Sequence, residues 1–272
     1  MTLKEKLKES RDANRAILAT NFYNYETLRA VVTAVKEQGD PVILQLSESS
    51  IDYLGLETAV AMARACVESE GITAWLHLDH GKDAELVARC IGAGFDSVMI
   101  DGSHLPVEEN IRITREVVEL AGPAGIPVEA ELGYVAKLGQ QQTFEYTTPE
   151  EARMFVERTG VDALAIAIGS AHGFYKHEPK LALDVLKEIR EATPAALVLH
   201  GSSGIPHDQV QEAIRLGINK VNLATEIKDL FMGSLRRLLK DSGEIDLRIL
   251  FPVAIDEVSR LITRKLNMVR DA

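Results

Sequence analysis

Three short segments carry the side chains best suited to chemistry: His77-Leu78-Asp79-His80, Ala171-His172-Gly173 and Leu199-His200-Gly201-Ser202-Ser203-Gly204. Each follows a short apolar run of strand type, so each delivers a histidine where a strand gives way to a loop. Three imidazoles, from His80, His172 and His200, can fill three corners of a tetrahedral zinc site and leave the fourth open for substrate. Neutral imidazole suits zinc well and other divalent transition metals acceptably. Asp79 stands beside His80 and is expected to act as a general acid/base next to the metal. Glu131 is expected either to support the ligands or to serve as an alternative ligand. A single loop histidine is ordinarily just a hydrogen-bonded residue; three at strand ends on one rim point to a metal. His77 is expected to face the interior or support a ligand, and His104, His177 and His207 to be surface or capping residues.

The elements that must position these groups alternate along the chain. Apolar runs at 17–22, 42–46, 74–78, 97–100, 127–131, 163–168, 196–199 and 220–223 predict eight strands. Between and after them, helical patterns fall at 25–38, 57–70, 83–92, 107–121, 149–159, 181–190, 207–216 and 226–240. Near-continuous apolar strands imply burial on both faces, as in a parallel sheet covered by helices. Gly71, Gly94, Gly125, Gly160 and Gly217 sit where helix-ending glycines belong, and Asp83, Thr148 and Pro206 mark helix starts. Eight such units predict an α/β fold, a (β/α)8 TIM barrel, in one domain spanning 1–272. Residues 241–272 are expected to form a loop and an extra C-terminal helix outside the barrel. Every polar cluster then falls at the C-terminal ends of the strands: Ser47, Asp79 with His80, Asp101 with Ser103, Glu131, His172, His200, and Asn222 with Thr225. That is the face on which barrel enzymes build their sites.

Two Gly/Ser segments, Gly169-Ser-Ala-His-Gly173 and His200-Gly-Ser-Ser-Gly204, end the sixth and seventh strands and can cradle a phosphate with backbone amides and hydroxyls. Lys176 can add charge there. Position 205 is Ile, so Gly201–Gly204 is not a nucleophile elbow. Gly92-Ala-Gly94 follows a helix rather than a strand and is not a dinucleotide fingerprint.

The composition narrows the partners. With 272 residues, 46% of them hydrophobic, the chain can bury a large core. A formal net charge of −11 speaks against nucleic acid, which needs basic patches. The start, Met1-Thr-Leu-Lys-Glu-Lys-Leu-Lys-Glu-Ser10, has the pattern of an amphipathic helix and lacks the apolar stretch of a signal peptide. No run is long enough to span a membrane, and Cys66 and Cys90 lie in helical patterns without a C-x-x-C spacing. A soluble, cytoplasmic protein with thiols in a reducing compartment is expected.

These residues resemble the class II (zinc-dependent) fructose-bisphosphate/tagatose-bisphosphate aldolase family over about residues 10–265. The matching strings are Pro41-Val-Ile-Leu-Gln-Leu-Ser47, Leu76-His-Leu-Asp-His80, Ser97-Val-Met-Ile-Asp-Gly-Ser-His-Leu-Pro106, Val128-Glu-Ala-Glu-Leu-Gly133, Ala167-Ile-Gly-Ser-Ala-His-Gly173, Leu199-His-Gly-Ser-Ser-Gly204 and Lys220-Val-Asn-Leu-Ala-Thr225. The resemblance implies one catalytic zinc per subunit on His80, His172 and His200, with Asp79 as acid/base. It implies that Asn222 contacts the substrate near the forming carbanion. It places the dihydroxyacetone phosphate group among Gly173, Gly201, Ser203, Ala224 and Thr225, with Ser47 and Lys176 lining the same pocket. It further implies a monovalent cation, Na+ or K+, beside this phosphate, and a homodimer or homotetramer. The implied reaction is retro-aldol cleavage of a ketose 1-phosphate, by default fructose 1,6-bisphosphate, to dihydroxyacetone phosphate and an aldehyde.

Two departures from the family pattern bear on the substrate. The loop after Gly133 is shorter and less charged, which leaves Glu145, or in its place Tyr134 or water, to handle the C3 proton. Near the C-terminus Phe251, rather than a basic residue, precedes Pro252, with Arg248, Arg260 and Arg264 as candidate replacements. 6-Deoxy-6-sulfofructose 1-phosphate and a deoxyketose phosphate are therefore alternative substrates, and tagatose 1,6-bisphosphate is another because it differs from fructose 1,6-bisphosphate only in the stereochemistry of one hydroxyl. A zinc hydrolase, with Asp79 activating a bound water, and a non-catalytic sugar-phosphate-binding barrel are the rivals from other classes.

Overall fold

A computed structural model describes residues 1–133, 146–173, 175, 179–240 and 242–272. Eight parallel strands close on themselves in chain order: β1 (Ile17–Asn21), β2 (Val42–Ser47), β3 (Ala74–Gly81), β4 (Ser97–Ile100), β5 (Val128–Leu132), β6 (Ala163–Ile166), β7 (Ala196–Leu199) and β8 (Ile218–Leu223). The barrel is sealed where β1 pairs with β8, Leu18 opposite Val221. The helices are α1 (Leu3–Asp12), α2 (Tyr25–Gln38), α3 (Glu48–Leu54), α4 (Leu56–Glu70), α5 (Ala84–Ala93), α6 (Val107–Ala121), α7 (Pro149–Thr159), α8 (Leu183–Ala192), α9 (His207–Arg215), α10 (Thr225–Lys240) and α11 (Leu247–Arg270). The expected (β/α)8 barrel with an added C-terminal helix is therefore present.

Local chemistry sets the boundaries. Asp83 caps α5 by accepting from the Leu86 N–H, and Thr148 with Glu151 forms a capping box at α7. Pro206 precedes α9 without a side-chain cap. α3 is an addition to the expected pattern: Glu48–Leu54 is too short to show helical periodicity, and Gly55 separates it from α4. β3 also runs past its expected end at residue 78, through Asp79 and His80 to Gly81. Its pairing with β4 shifts register between Leu78 and Gly81, and His80 has φ 51°. A bulge of this kind re-aims a side chain, here His80, into the mouth.

The barrel interior is graded from apolar to polar. At its N-terminal end Ile17, Ala19, Ile43, Trp75, Ala163, Ala165, Ala196 and Val198 pack against Leu3 and Leu7 of α1, which closes the bottom. Above them, Gln45, His77, Glu129 and Lys220 face inward and are all buried. Residues two apart on a strand share a face, so Asp79, Glu131 and Asn222 form the layer above. α11 packs on α2, α9 and α10, outside the barrel. Among the described residues no helix is long and apolar enough to cross a membrane.

Candidate active site

His80, His172 and His200 come from β3, the loop after β6 and the end of β7. Their ring centroids lie 4.9–5.7 Å apart. One ligand atom from each, together with one from Glu131, all fall within 4.8 Å of one another. The other ring nitrogens of His80 and His200 are tied down behind them. His80 Nδ1 pairs with Asp101 Oδ2 at 2.7 Å, and Asp101 is in turn held by the Ser103 N–H and hydroxyl. His200 Nε2 pairs with Glu129 Oε1 at 2.9 Å. The outward atoms are then His80 Nε2 and His200 Nδ1. The latter is buried, makes no hydrogen bond and faces Glu131 Oε2 at 3.3 Å. Two imidazoles held from behind by carboxylates, a third beside them and the Glu131 carboxylate facing the same point make a donor set that fits a zinc ion.

Electrostatics separate the three imidazoles. Burial and the neighbouring His200 and His80 push His172 down to about 4, so it stands neutral and ready to donate. Burial opposes a charge on His200, yet the carboxylates of Glu129 and Glu131 outweigh it and push it up to about 10 in the metal-free protein. His80 is raised by Asp79 and Asp101 against its burial.

Beneath His200 runs a buried polar chain. Lys220 Nζ donates to Glu129 Oε2 at 2.6 Å and approaches His77 Nε2 at 3.3 Å, while His77 Nδ1 meets Ser97 Oγ at 2.6 Å. Burial and Lys220 hold His77 down at about 3, so it is neutral. His77 thus sits in the interior, as expected, and His104 and His207 are exposed.

Asp79 is buried at the mouth. Asn21 Nδ2 donates to its Oδ2 at 2.8 Å and Gln45 Nε2 to its Oδ1 at 3.2 Å. Burial alone would raise its pKa, but His80, His200, Lys220 and the Asn21 hydrogen bond outweigh this and hold it at about 2. The carboxylate is therefore ionised at neutral pH and can accept a proton.

One cavity gathers Asn21, Asp79, His80, His172, Gly173, Gly201, Ser203, Asn222, Ala224 and Thr225. Asn222 Oδ1 is buried in its wall with no partner among the described residues. The two Gly/Ser loops are locked together by Tyr175, whose hydroxyl accepts from the Ala171 N–H at 2.7 Å and donates to the Gly201 carbonyl at 2.9 Å. Gly201 is obligatory: its φ is +65° and a Cβ would lie 2.3 Å from the Ala171 carbonyl oxygen.

Some expected residues fall elsewhere. Ser47 is opposite Asp79 in register, but its hydroxyl meets those of Ser49 and Ser50 and does not line the cavity. The turn into α3 redirects it. Lys176, Tyr134 and Glu145 lie outside the described residues. The cavity wall includes none of Arg248, Arg260 and Arg264; Arg248 pairs with Asp246. Conversely, Asn21, Gln45, Glu129, Lys220 and Tyr175 were not singled out from sequence, although charged residues inside apolar strands flag two of them.

The family described as Fructose-bisphosphate aldolase class-II matches residues 1–272. The chain belongs to this class II aldolase family. It is therefore an aldolase, a carbon–carbon lyase, of a family that is zinc-dependent in general and acts on small phosphorylated sugars. A fructose-bisphosphate aldolase of Geobacillus stearothermophilus is 42% identical over 98% of this chain and 96% of its own length. A 6-phospho-5-dehydro-2-deoxy-D-gluconate aldolase of Bacillus licheniformis is 40% identical over 98% and 94%. Among solved structures, the YdjI aldolase from Escherichia coli K12 superposes with a TM-score of 0.88 at 34% identity, covering 98% of this chain and 96% of that one.

Proposed function

We propose that this aldolase cleaves a ketose 1-phosphate, with fructose 1,6-bisphosphate as the default substrate, to dihydroxyacetone phosphate and an aldehyde. The observation that carries the reading is the convergence in one cavity of an ionised Asp79, two of the candidate metal ligands, the glycine- and serine-bearing loops after β6 and β7, and Ala224 and Thr225 after β8. A zinc ion held by His80, His172 and His200 supplies Lewis-acid stabilisation of the charge that develops on the ketose C2 oxygen. Glu131 stands within reach of the same position as a supporting or alternative ligand.

The chain's own residues supply the rest. Asp79, with Asn21 and Gln45 fixing its orientation, takes the C4 hydroxyl proton as the C3–C4 bond breaks and returns it in the condensation direction. Asn222, whose amide oxygen is buried without a hydrogen-bond partner among the described residues, contacts the substrate near the forming carbanion. The backbone of Gly173, Gly201 and Ala224 and the hydroxyls of Ser203 and Thr225 hold the C1 phosphate. The reading extends to a Na+ or K+ ion beside that phosphate. It also extends to a homodimer or homotetramer, supported by the exposed apolar side chains of Ile245, Leu247, Ile249 and Val253.

A second substrate reading is favoured by the Bacillus licheniformis relative, whose name describes a deoxy-keto acid phosphate. The test is a panel of fructose 1,6-bisphosphate, tagatose 1,6-bisphosphate, 6-deoxy-6-sulfofructose 1-phosphate and 6-phospho-5-dehydro-2-deoxygluconate. Metal-reconstituted enzyme is assayed in K+ or Na+, with and without EDTA. Release of dihydroxyacetone phosphate from fructose 1,6-bisphosphate, abolished by EDTA, supports the first reading. Turnover confined to the deoxy-keto acid, with release of its three-carbon aldehyde, selects the second. No turnover of any member by protein holding one metal equivalent overturns both.

A further inference from the structure

Lys265 lies on α11, outside the barrel, yet it is only 5% exposed. Lysines are buried to this degree almost only when paired. Its Nζ donates to Glu226 Oε1 at 2.9 Å, and the same oxygen accepts from the Gly204 N–H at 2.7 Å. The Glu226 N–H meets Ser203 Oγ at 3.4 Å. Glu226 follows Thr225 in the first turn of α10, while Ser203 and Gly204 belong to the loop after β7. One carboxylate therefore clasps together the two segments that wall one side of the cavity.

That clasp carries a negative charge beside a pocket read as taking a phosphate. An unbalanced carboxylate there repels the dianion and resists its own desolvation. A neutral group would make the same hydrogen bond to Gly204 without the repulsion, so the charge has to be offset by something nearby. Lys265 is the group placed to do so, from the side away from the cavity.

We propose that Lys265 is a positioning residue for phosphate binding: it cancels the Glu226 charge and fixes the carboxylate that holds the loops after β7 and β8 in register. The proposal rests on the reading of those loops as the phosphate cradle. It distinguishes α11 from a helix that merely covers the barrel, because a purely structural anchor changes stability and leaves the preference for phosphate alone.

The test measures dissociation constants of dihydroxyacetone phosphate and of inorganic phosphate for metal-loaded enzyme by calorimetry, alongside kcat and KM. Lys265→Met is expected to raise both dissociation constants about tenfold, with kcat within about twofold of the parent. Lys265→Arg restores affinity. Adding Glu226→Gln to Lys265→Met also restores it, because the amide oxygen still accepts from Gly204 but bears no charge. Glu226→Gln alone leaves the cation in place and keeps or tightens phosphate affinity, which provides the answer if Lys265→Met does not fold. The proposal is overturned if Lys265→Met binds phosphate normally while Ser203→Ala weakens it. It is equally overturned if the loss persists in Lys265→Met/Glu226→Gln, or if Glu226→Gln alone weakens binding about tenfold. If Lys265→Met and Ser203→Ala both bind phosphate normally, the cradle reading itself falls, and the proposal with it.

Discussion

Replacing Glu129 by Gln tests what holds His200 in place. Glu129 is 2% exposed and hydrogen-bonds to Lys220 Nζ at 2.6 Å and His200 Nε2 at 2.9 Å, with His77 Nε2 at 3.7 Å. The substitution keeps the shape but leaves the Lys220 ammonium in the barrel with the neutral His77 Nε2, at 3.3 Å, as its other contact. Breaking a buried pair from one side costs about 3–5 kcal/mol. At about 2–4 °C per kcal/mol for a chain of this size, the melting temperature of chelator-stripped protein falls by about 6–20 °C. A second effect is separate. The amide no longer draws the Nε2 proton of His200 as a carboxylate does, and losing a partner of this kind lowers metal affinity by about 10–100-fold.

The double variant Glu129→Gln/Lys220→Met separates the two effects. Removing both charges together restores most of the stability, since a buried ion pair is worth little over an apolar replacement. It does not restore zinc affinity, because the charge behind His200 is still missing. Thermal unfolding by circular dichroism and zinc competition against a chromophoric chelator read the two quantities independently. The reasoning is refuted if Glu129→Gln melts within about 2 °C of the parent. It is also refuted if the double variant is no more stable than the single one, or if zinc binds both variants as tightly as the parent.

Three further outcomes follow from the same geometry. In the metal-free protein His200 is pushed up from its ordinary 6.5 to about 10, so its proton stabilises the fold fully below pH 6.5 and is lost as pH climbs toward 10. The melting temperature of stripped protein should therefore fall over that interval while zinc affinity rises, and a stripped protein that grows more stable from pH 7 to 9 contradicts it. Asp79→Ala should retain one metal equivalent and lose about 10²–10⁴ in kcat; parental turnover would exclude Asp79 as the acid/base. Gly201→Ala drives a Cβ onto the Ala171 carbonyl next to His172, at a left-handed φ. It should cost about 1–3 kcal/mol and weaken both zinc and phosphate binding, as the same chelator competition and calorimetry would show.

The barrel was legible because its strands are buried on both faces, so their apolar runs stand out from helices of a different period. The three histidines stood out because each follows an apolar run, although the structure places His80 within β3, His200 directly after β7 and His172 in the loop six residues past β6. What sequence reasoning missed was hidden for identifiable reasons. α3 spans Glu48–Leu54, shorter than two full helical turns, and so leaves no periodic trace; it also turns the Ser47 hydroxyl away from the cavity. The bulge at His80 is marked only by Gly81, where a Cβ would sit 2.4 Å from the Met99 carbonyl oxygen.

Glu129 and Lys220 are 91 residues apart, and only closure of the barrel brings them together. Yet a usable signal was present. Val128-Glu129-Ala130-Glu131 and Asn219-Lys220-Val221-Asn222 place charges within strands whose neighbours are apolar. A charge in a strand buried on both faces must find an opposite charge inside the barrel. Inward positions two residues before Asp79, Glu131 and Asn222, together with Gln45 opposite His77, are where such partners meet. Applied to Gln45, His77, Glu129 and Lys220, that constraint identifies a polar layer directly beneath the mouth. The proposed active site is therefore two layers deep: the upper one holds Asp79, Glu131 and the imidazoles, and the lower one touches His200 through Glu129 and Asp79 through Gln45.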